Sequence, residues 1–588
     1  MRAQWCVAEA QPATQQTLAE ATGLPPLLCQ VLINRGMTDG ATARRFLAPS
    51  LHDLHDPYGL HGMTAAVQRL VVALRQDERL AIYGDYDVDG VTATALLVTF
   101  FAELGLQVPY YIPERASEGY GLNAASIRQL ASEGVHLLIT VDCGSTALEE
   151  VAVARHLGMD VLITDHHQPP AQLPDACAIL NPHQPACTYP NKHLCGVGVV
   201  FKLLTALRSA LRQEPRWADR LPNLKRHLDF AALGTIADVM PLREENRVLV
   251  HYGLHELTQT RKLGLQALRQ VSGSAEKSAG VGEVGFQLAP RLNASGRLGS
   301  ASHSVALLTT RDTHEAGRLA QLLDTVNHER RTLQQAMEEA VHARIAAEYH
   351  GEPPAAIVLG DPDWHLGVVG IVAAKIVEAY HRPTFLVHIN GDTARGSGRS
   401  IPAFNLYEGL QHCARWLRQF GGHKYAAGLT MDTAHLPALQ EALSHFAAET
   451  LTPADLQPTL HLDAVVTLAD VTAALVADLA RCEPHGAGNS TPLFGAEAVQ
   501  VASAIRLMGK QGQHARFRVA QDGVSVSVVA FQQAAAVQAL PPDALVDIAF
   551  TPTINTWRDQ HTLELHLRAL RPHAPLARVR SPLTAPPR

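Results

Sequence analysis

Three aspartates, Asp85, Asp87 and Asp89, stand within five residues in GDYDVDG, directly after the apolar run LAIYG and directly before a helical stretch. Carboxylates packed this tightly repel one another unless a positive charge lies among them, and a hard divalent cation is the natural partner. The bland alternative is an Asx-rich turn that caps the next helix. An EF-hand calcium loop is rejected: D-x-D-x-D-G matches its start, but its twelfth position, a glutamate in that loop, is Leu96 here. Two more apolar runs end in similar residues, HLLITVDCGS at Asp142 and VLITDHHQ at Asp165, His166 and His167, and the small-residue run FAALGTIADVMPL carries Asp238. A lone aspartate in such a place is most often a cap, and a lone histidine a satisfied polar residue. Convergence of several strand ends on one rim of a sheet favours a site. The set Asp87, Asp89, Asp142, His166 and Asp238 is rich in oxygen, carries imidazole and lacks thiolate, which suits Mn²⁺ or Mg²⁺ better than structural zinc. Two such ions about 3.5 to 4 Å apart, bridged by a carboxylate, activate water and stabilise both oxygens of an in-line phosphoryl displacement. The chemistry expected is hydrolysis of a phosphate ester or anhydride.

The elements that must position these groups alternate short buried strands (80–84, 108–112, 136–142, 160–165) with helical stretches such as VTATALLVTFFAELG, which predicts a parallel α/β sheet. Residues 1–50 read as a helical cap, 51–270 as the catalytic unit and 271–350 as a connecting helical segment. Within the last, the polar helical stretch 304–348 has too few clean a/d heptads for a coiled coil. A second α/β unit is expected over 351–450, with strands AAIVLG and PTFLVHI followed by glycine-rich turns. Residues 451–571 are β-rich and compatible with a small barrel, and 572–588 form a basic, proline-rich tail expected to be disordered.

The 588 residues allow about three to five domains. A formal charge of −7 weighs against a chain that coats nucleic acid indiscriminately, while leaving room for a local basic groove. Eight scattered cysteines with no C-x-x-C pair fit reduced thiols. The N-terminus lacks an apolar h-region and no run reaches membrane-spanning length, so the expected location is the cytoplasm, without membrane contact.

GDYDVDG, VDCG, TDHH and GTIADVMPL, in that order, resemble the four motifs of the DHH phosphoesterase superfamily. IPERASEGYGLN (112–123), LNPHQ (180–184), LCGVGVVFK (194–202), LAPRLNASGRLG (288–299), GSGRS (396–400), GGHKYAAGLT (421–430) and EPHGAGNSTPLF (483–494) resemble its single-stranded-DNA exonuclease branch. The resemblance implies a DHH-type parallel sheet domain joined by a long helix to a second α/β, DHH-associated domain, plus a C-terminal OB-fold β-barrel. It implies two ions, Mn²⁺ or Mg²⁺, held by Asp87, Asp89, Asp142, His166 and Asp238 with Asp142 as the bridge. His167 becomes a contact or acid partner at the scissile phosphate, and Asp85 and Asp165 become supporting residues. Where several relatives carry a histidine four residues before the second aspartate of the first motif, this chain has Tyr83, which predicts a poorer shell for one ion.

The resemblance further makes Arg115, Ser397 and Arg399 candidates for holding a 5′-terminal phosphate, Arg as a bidentate fork. Without it, a glycine-rich turn with surface arginines is the better reading. Arg291, Asn293 and Arg297 are candidates for the DNA path, although a loop packed between domains would look the same, and His423 is a phosphate or backbone contact. In the barrel, Lys510, Arg516 and Trp557 are available to a single strand. The implied activity is 5′→3′ hydrolysis of single-stranded DNA to 5′-mononucleotides in recombination and repair. Single-stranded DNA is the implied partner, with a RecQ-type helicase and a single-strand-binding protein beside it. A DHH phosphatase acting on very short oligonucleotides or a nucleotide bisphosphate is the rival enzyme, and it would lack the C-terminal residues. A catalytically dead scaffold is the rival outside enzymes, and it would have lost carboxylates that this chain keeps.

Overall fold

The computed structural model describes residues 3–115, 117–541, 543–557 and 560–573. The basic tail and the Trp557 side chain lie outside the described residues. Five parallel strands form the first sheet, in the spatial order Tyr110–Tyr111, Leu80–Gly84, Leu137–Val141, Asp160–Thr164, Ala178–Leu180. Side chains alternate across it. Ile82, Ile139 and Leu162 pack with helices Met63–Arg75, Val88–Glu103 and Gly196–Leu211, whereas Ala81, Leu138 and Ile163 pack with helices Ala124–Ser132 and Leu148–His156. Both faces are covered, which is why the strands read as continuous apolar runs. The chain leaves the Leu80 strand in one direction and returns to add the Leu137 strand on its other side. That reversal opens a crevice at the carboxyl ends of these two strands, where Asp85 to Asp89 and Asp142 stand.

The connecting helix runs Thr313–Tyr349, capped by Asp312, whose carboxylate accepts from the Glu315 amide. Its 37 residues span roughly 55 Å. Residues 304–309, expected within it, belong to a separate helix, Ser302–Thr309. The second sheet orders Leu417–Gly422, Ala426–Asp432, Thr393–Arg399, Thr384–Asn390 and Ile357–Asp361. Segments expected to be glycine-rich turns are therefore strands. A Cβ on Gly398 would lie 2.5 Å from the Phe385 ring, and one on Gly396 would lie 2.8 Å from Val387. The glycines make room for cross-strand neighbours and do not break the strand.

The C-terminal sheet has seven strands, and Phe494–Val501 pairs with both Leu545–Trp557 and His514–Gln521, closing a barrel. The N-terminal region is more than a helical cap. Gln4–Val7 is a strand that pairs in parallel with Thr459–Leu462, and helices Pro12–Thr22, Pro26–Asn34 and Gly40–Leu47 pack onto the barrel core. A four-residue strand is too short to show periodicity, and its partner lies far along the chain.

Arg247 joins the catalytic unit to both. It is 2% exposed, its guanidinium donates to the carbonyls of Phe46, Arg481, Cys482, Glu483 and Pro484, and it stacks 3.8 Å over the Phe46 ring. Removing it strands buried carbonyls. Arg247→Met is expected to lower stability by about 3 kcal/mol or more, seen as an earlier melting transition of the barrel. An unchanged transition would show that the apolar contacts alone hold the units together.

Candidate active site

The Leu80 strand ends at Gly84, where a Cβ would lie 2.2 Å from Thr94 Oγ1. The turn that follows is held by Asp87, which caps helix Val88–Glu103 and accepts from the Asp89 and Gly90 amides. Asp89 points the other way, into the N-terminus of helix Gly196–Leu211, and accepts from Gly196 N at 2.5 Å and Val197 N at 2.8 Å. Amides and helix dipole both favour its negative charge. Gly234 leaves it space, since a Cβ there would lie 2.7 Å from Asp89 Oδ1.

Asp142 follows its strand in the left-handed region, φ 62°, and this aims the carboxylate into the crevice beside the turn. His166 Nε2 lies 3.1 Å from Asp142 Oδ1, 3.6 Å from Asp238 Oδ2 and 3.7 Å from Asp89 Oδ2. Asp165 is already occupied: its carboxylate accepts from the amides of Ser145, His166 and His167 and pairs with His167 Nδ1 at 2.8 Å. It shapes the turn and orients His167.

The charges are poorly compensated. Asp85 Oδ1, Asp142 Oδ1 and Asp238 Oδ2 are buried without a hydrogen-bond partner. Burial, and then the neighbouring carboxylates, push the Asp85, Asp142 and Asp238 carboxyls well above the usual range. Burial and the Asp87 charge raise Asp89 to about 6. Burial, reinforced by the His167 charge, lowers His166 to about 3, leaving a neutral imidazole free to ligate. For the His167–Asp165 pair, burial opposes both charges and loses to their mutual attraction: His167 rises to about 9 and Asp165 falls to about 2.

Orphaned carboxylate oxygens beside a neutral imidazole fit hard divalent cations. Two ligand trios close to within 4.8 Å, Asp85–Asp87–Asp142 and Asp89–His166–Asp238, and a third links Asp142 to His166 and His167. Asp142, a member of the first, also lies 3.1 Å from His166 of the second. Asp85, read from sequence as a supporting residue, belongs to a ligand trio. Tyr83 faces away from the crevice: its ring is buried on the opposite side of the sheet and its hydroxyl donates to Gly121 O. Asp85, and not Tyr83, is placed where a third ligand on that side of the centre would stand.

The metal-free cluster carries a pH signature. Asp89 ionises near 6 in the fold against an ordinary 3.8, so its ionisation costs stability as pH rises between those values. A cation binding the ionised form restores it and releases protons. The rise in melting temperature produced by Mn²⁺ is expected to grow as pH climbs through about 6. An equal rise at about pH 5 and pH 7.5 would place the ion elsewhere.

Across the crevice lies a cationic group. Arg297 is enclosed, and burial followed by the charges of Arg115, Arg330 and Arg399 lowers it to about 10. It donates to Gly367 O, Arg399 donates to Ser397 Oγ at 3.1 Å, and Arg115 lies 5.3 Å over the Tyr86 ring. Gly370 lets helix Leu366–Tyr380 approach, since a Cβ there would lie 3.0 Å from Ser397 Oγ and 3.2 Å from Arg399. The structure thus brings together Arg115, Arg297, Ser397 and Arg399. It does not bring the other three candidates into this group. Arg291 is paired with Asp324 at 2.8 Å, Asn293 Oδ1 accepts from Val88 N, and His423 is exposed with its amide donating to Ala426 O.

Sequence reasoning missed three residues here. Tyr120 packs edge-on against His167, donates to Asp142 O and sits 3.0 Å from His167 Nδ1. Asn181 donates to His167 O and Ser145 Oγ. Both lie in segments noted for resemblance, IPERASEGYGLN and LNPHQ, but only the fold shows their reach. The third, Arg330, reads in the long helix as an ordinary surface charge.

Family models match three stretches: the DHH family, N-terminal domain over 79–235, the DHHA1 domain over 353–449 and the RecJ OB domain over 462–569. The chain is 39% identical over 556 residues to the single-stranded-DNA-specific exonuclease RecJ of Bacillus subtilis, covering 94% of this chain and 69% of the relative. It is 34% identical to the Escherichia coli protein of that name, covering 92% and 95%. The chain belongs to the RecJ family. RecJ from Thermus thermophilus in complex with Mn²⁺ superposes with a TM-score of 0.83 at 34% identity, covering 97% of this chain and 80% of that one. The same protein with Mg²⁺ gives 0.77 at 33%, covering 97% and 79%. Both RecJ ions are of the class that the carboxylate cluster fits.

Proposed function

We propose that this chain hydrolyses single-stranded DNA from its 5′ end, releasing 5′-mononucleotides. The observation that carries the reading is the juxtaposition of two opposite sites in one crevice: orphaned carboxylates at the strand ends, and the Arg115–Arg297–Ser397–Arg399 group facing them. The names of the RecJ relatives agree with it.

Arg399, Ser397 and Arg115 bind the 5′-terminal phosphate through charge-assisted hydrogen bonds. Cleavage is thereby counted from the end. Asp85, Asp87, Asp89, Asp142, His166 and Asp238 would hold two divalent ions, which when bound supply Lewis-acid polarisation of the phosphate and an activated water. His167, protonated and held by Asp165 and Tyr120, points a cationic donor toward the phosphate between the sites. Asp165 fixes that ring, Asn181 fixes the His167 backbone through its carbonyl, and Gly234 keeps the Asp89 pocket open. Nothing in this arrangement reads a base, so the strand is selected by shape and backbone charge.

Eight free thiols, seven of them buried, suit the reducing cytoplasm, and among the described residues no helix is long and apolar enough to cross a membrane. Action in recombination and repair, with a RecQ-type helicase opening the duplex and a single-strand-binding protein covering the strand, belongs to the same reading.

The test uses single-stranded DNA labelled at either end, with Mn²⁺, Mg²⁺ or EDTA. Immediate release of labelled mononucleotide from the 5′ label, a shrinking ladder from the 3′ label and no reaction in EDTA are expected. Release from the 3′ label first, or internal cuts, would overturn the polarity.

A further inference from the structure

The two most exposed large apolar side chains among the described residues, Phe286 at 78% and Val239 at 69%, line the same cavity. It measures about 590 Å³, and Met240, Pro290, Arg297 and Arg330 complete the walls that matter here. Bare apolar surface of this kind, gathered at one cavity, marks a binding site. The backbone goes out of its way to present it. Phe286 sits in a π-helical turn, Val284–Leu288, whose end residues are buried while the ring stands out into solvent. Such turns occur frequently at functional sites. Val239 holds φ 56°, a left-handed conformation that a β-branched residue adopts only under strain.

The opposite wall is cationic. Arg330 is 7% exposed, and its guanidinium donates only to neutral acceptors, Asn327 Oδ1 and Gln334 Oε1. Among the described residues no carboxylate lies within ion-pair distance of it. A buried cation without an anion calls for an anionic occupant. The cavity adjoins the carboxylate centre: Ile236, Ala237 and Val239 in its wall flank Asp238 in sequence, and Asn293 in its wall accepts from the Val88 amide of the aspartate turn.

An occupant with flat apolar groups on one side and phosphates on the other, threaded to the hydrolytic centre, is a single strand of nucleic acid. We propose that Phe286, with Val239 beside it, stacks a base of the bound strand beyond the scissile bond, while Arg330 takes a neighbouring phosphate. This deepens the function proposed above and rests on it.

The test measures hydrolysis of a 5′-phosphorylated 20-mer by the full chain with Mn²⁺, alongside the same strand carrying one abasic residue at each of the first eight positions. For the unaltered protein, KM is expected to rise about 10-fold at one or two adjacent abasic positions. Phe286→Ala should raise KM about 10-fold on intact DNA, leave kcat within about twofold, and abolish the further rise at those positions. Phe286→Trp should restore both. Arg330→Gln, which keeps hydrogen bonds in place of the charge, should flatten the slope of log KM against log salt by about 0.7. If the unaltered protein failed to hydrolyse the 20-mer, the functional reading itself would fall. If it were active and Phe286→Ala kept both KM and the abasic sensitivity, this proposal alone would be overturned.

Discussion

Asp142→Ala is expected to cut hydrolysis by about a hundred- to a thousand-fold or more, the order found when a principal electrostatic group leaves an active site, while the metal-free protein melts no lower than before. The second half of that result is the diagnostic one. Asp142 is buried, its Oδ1 has no hydrogen-bond partner, and its neighbours include Asp89, Asp87, Asp85 and Asp238. Truncation therefore removes repulsion and breaks no side-chain hydrogen bond to Oδ1. The strained φ of 62° remains, and alanine bears it less well than aspartate. Asp142→Asn separates the two effects by keeping the shape and deleting the charge. Both variants should lose most of the thermal stabilisation by Mn²⁺. Retained hydrolysis in Asp142→Asn would remove this residue from the ligand set.

Arg399→Ala is expected to raise KM for 5′-phosphorylated single strands by roughly 10- to 100-fold, the range for losing a charge-assisted contact, with little change for strands ending in a 5′-hydroxyl. A uniform loss on both would assign Arg399 to general backbone attraction. The contrast follows from position. Arg399 lies on strand Thr393–Arg399 of the second sheet, against Gly370, whereas the reacting centre is built on the first. Ser397→Ala should show the same contrast with a smaller effect, since it removes a neutral donor beside the same guanidinium.

The contrast between legible and hidden features follows from the range of the physics. The parallel sheet was readable because strands buried on both faces must be largely apolar, and LAIYG, LLITV and VLIT are, with one buried threonine in each of the last two. Asp87 and Asp89 were readable because like charges crowded after a buried strand need an explanation, Asp142 because it ends a second such strand, and Asp238 only from the small-residue run before it, which is a helix. The glycine-rich strand around Gly396 and Gly398 was not, because its glycines answer to Phe385 and Val387, whose placement is a tertiary fact. Arg291 and Arg330 invite opposite errors for the same reason. Arg291 has the sequence context of a free cation and is paired with Asp324, whereas Arg330 reads as one more charge on a long helix and is buried without a carboxylate partner. Tyr120 reaches the centre through a loop whose path no local pattern encodes.

Gln4–Val7 finds its partner strand, Thr459–Leu462, only when the chain has come almost full circle. On the ribosome, that partner emerges roughly 455 residues later, which at about 5 to 20 residues per second is some 25 to 90 s. Through that interval the unpaired edge of Gln4–Val7, and the apolar faces of the three helices behind it, stay open to water. Gln4–Val7 is thus buried long after it is made, and its unpaired edge must stay out of intermolecular strand pairing until Thr459–Leu462 arrives.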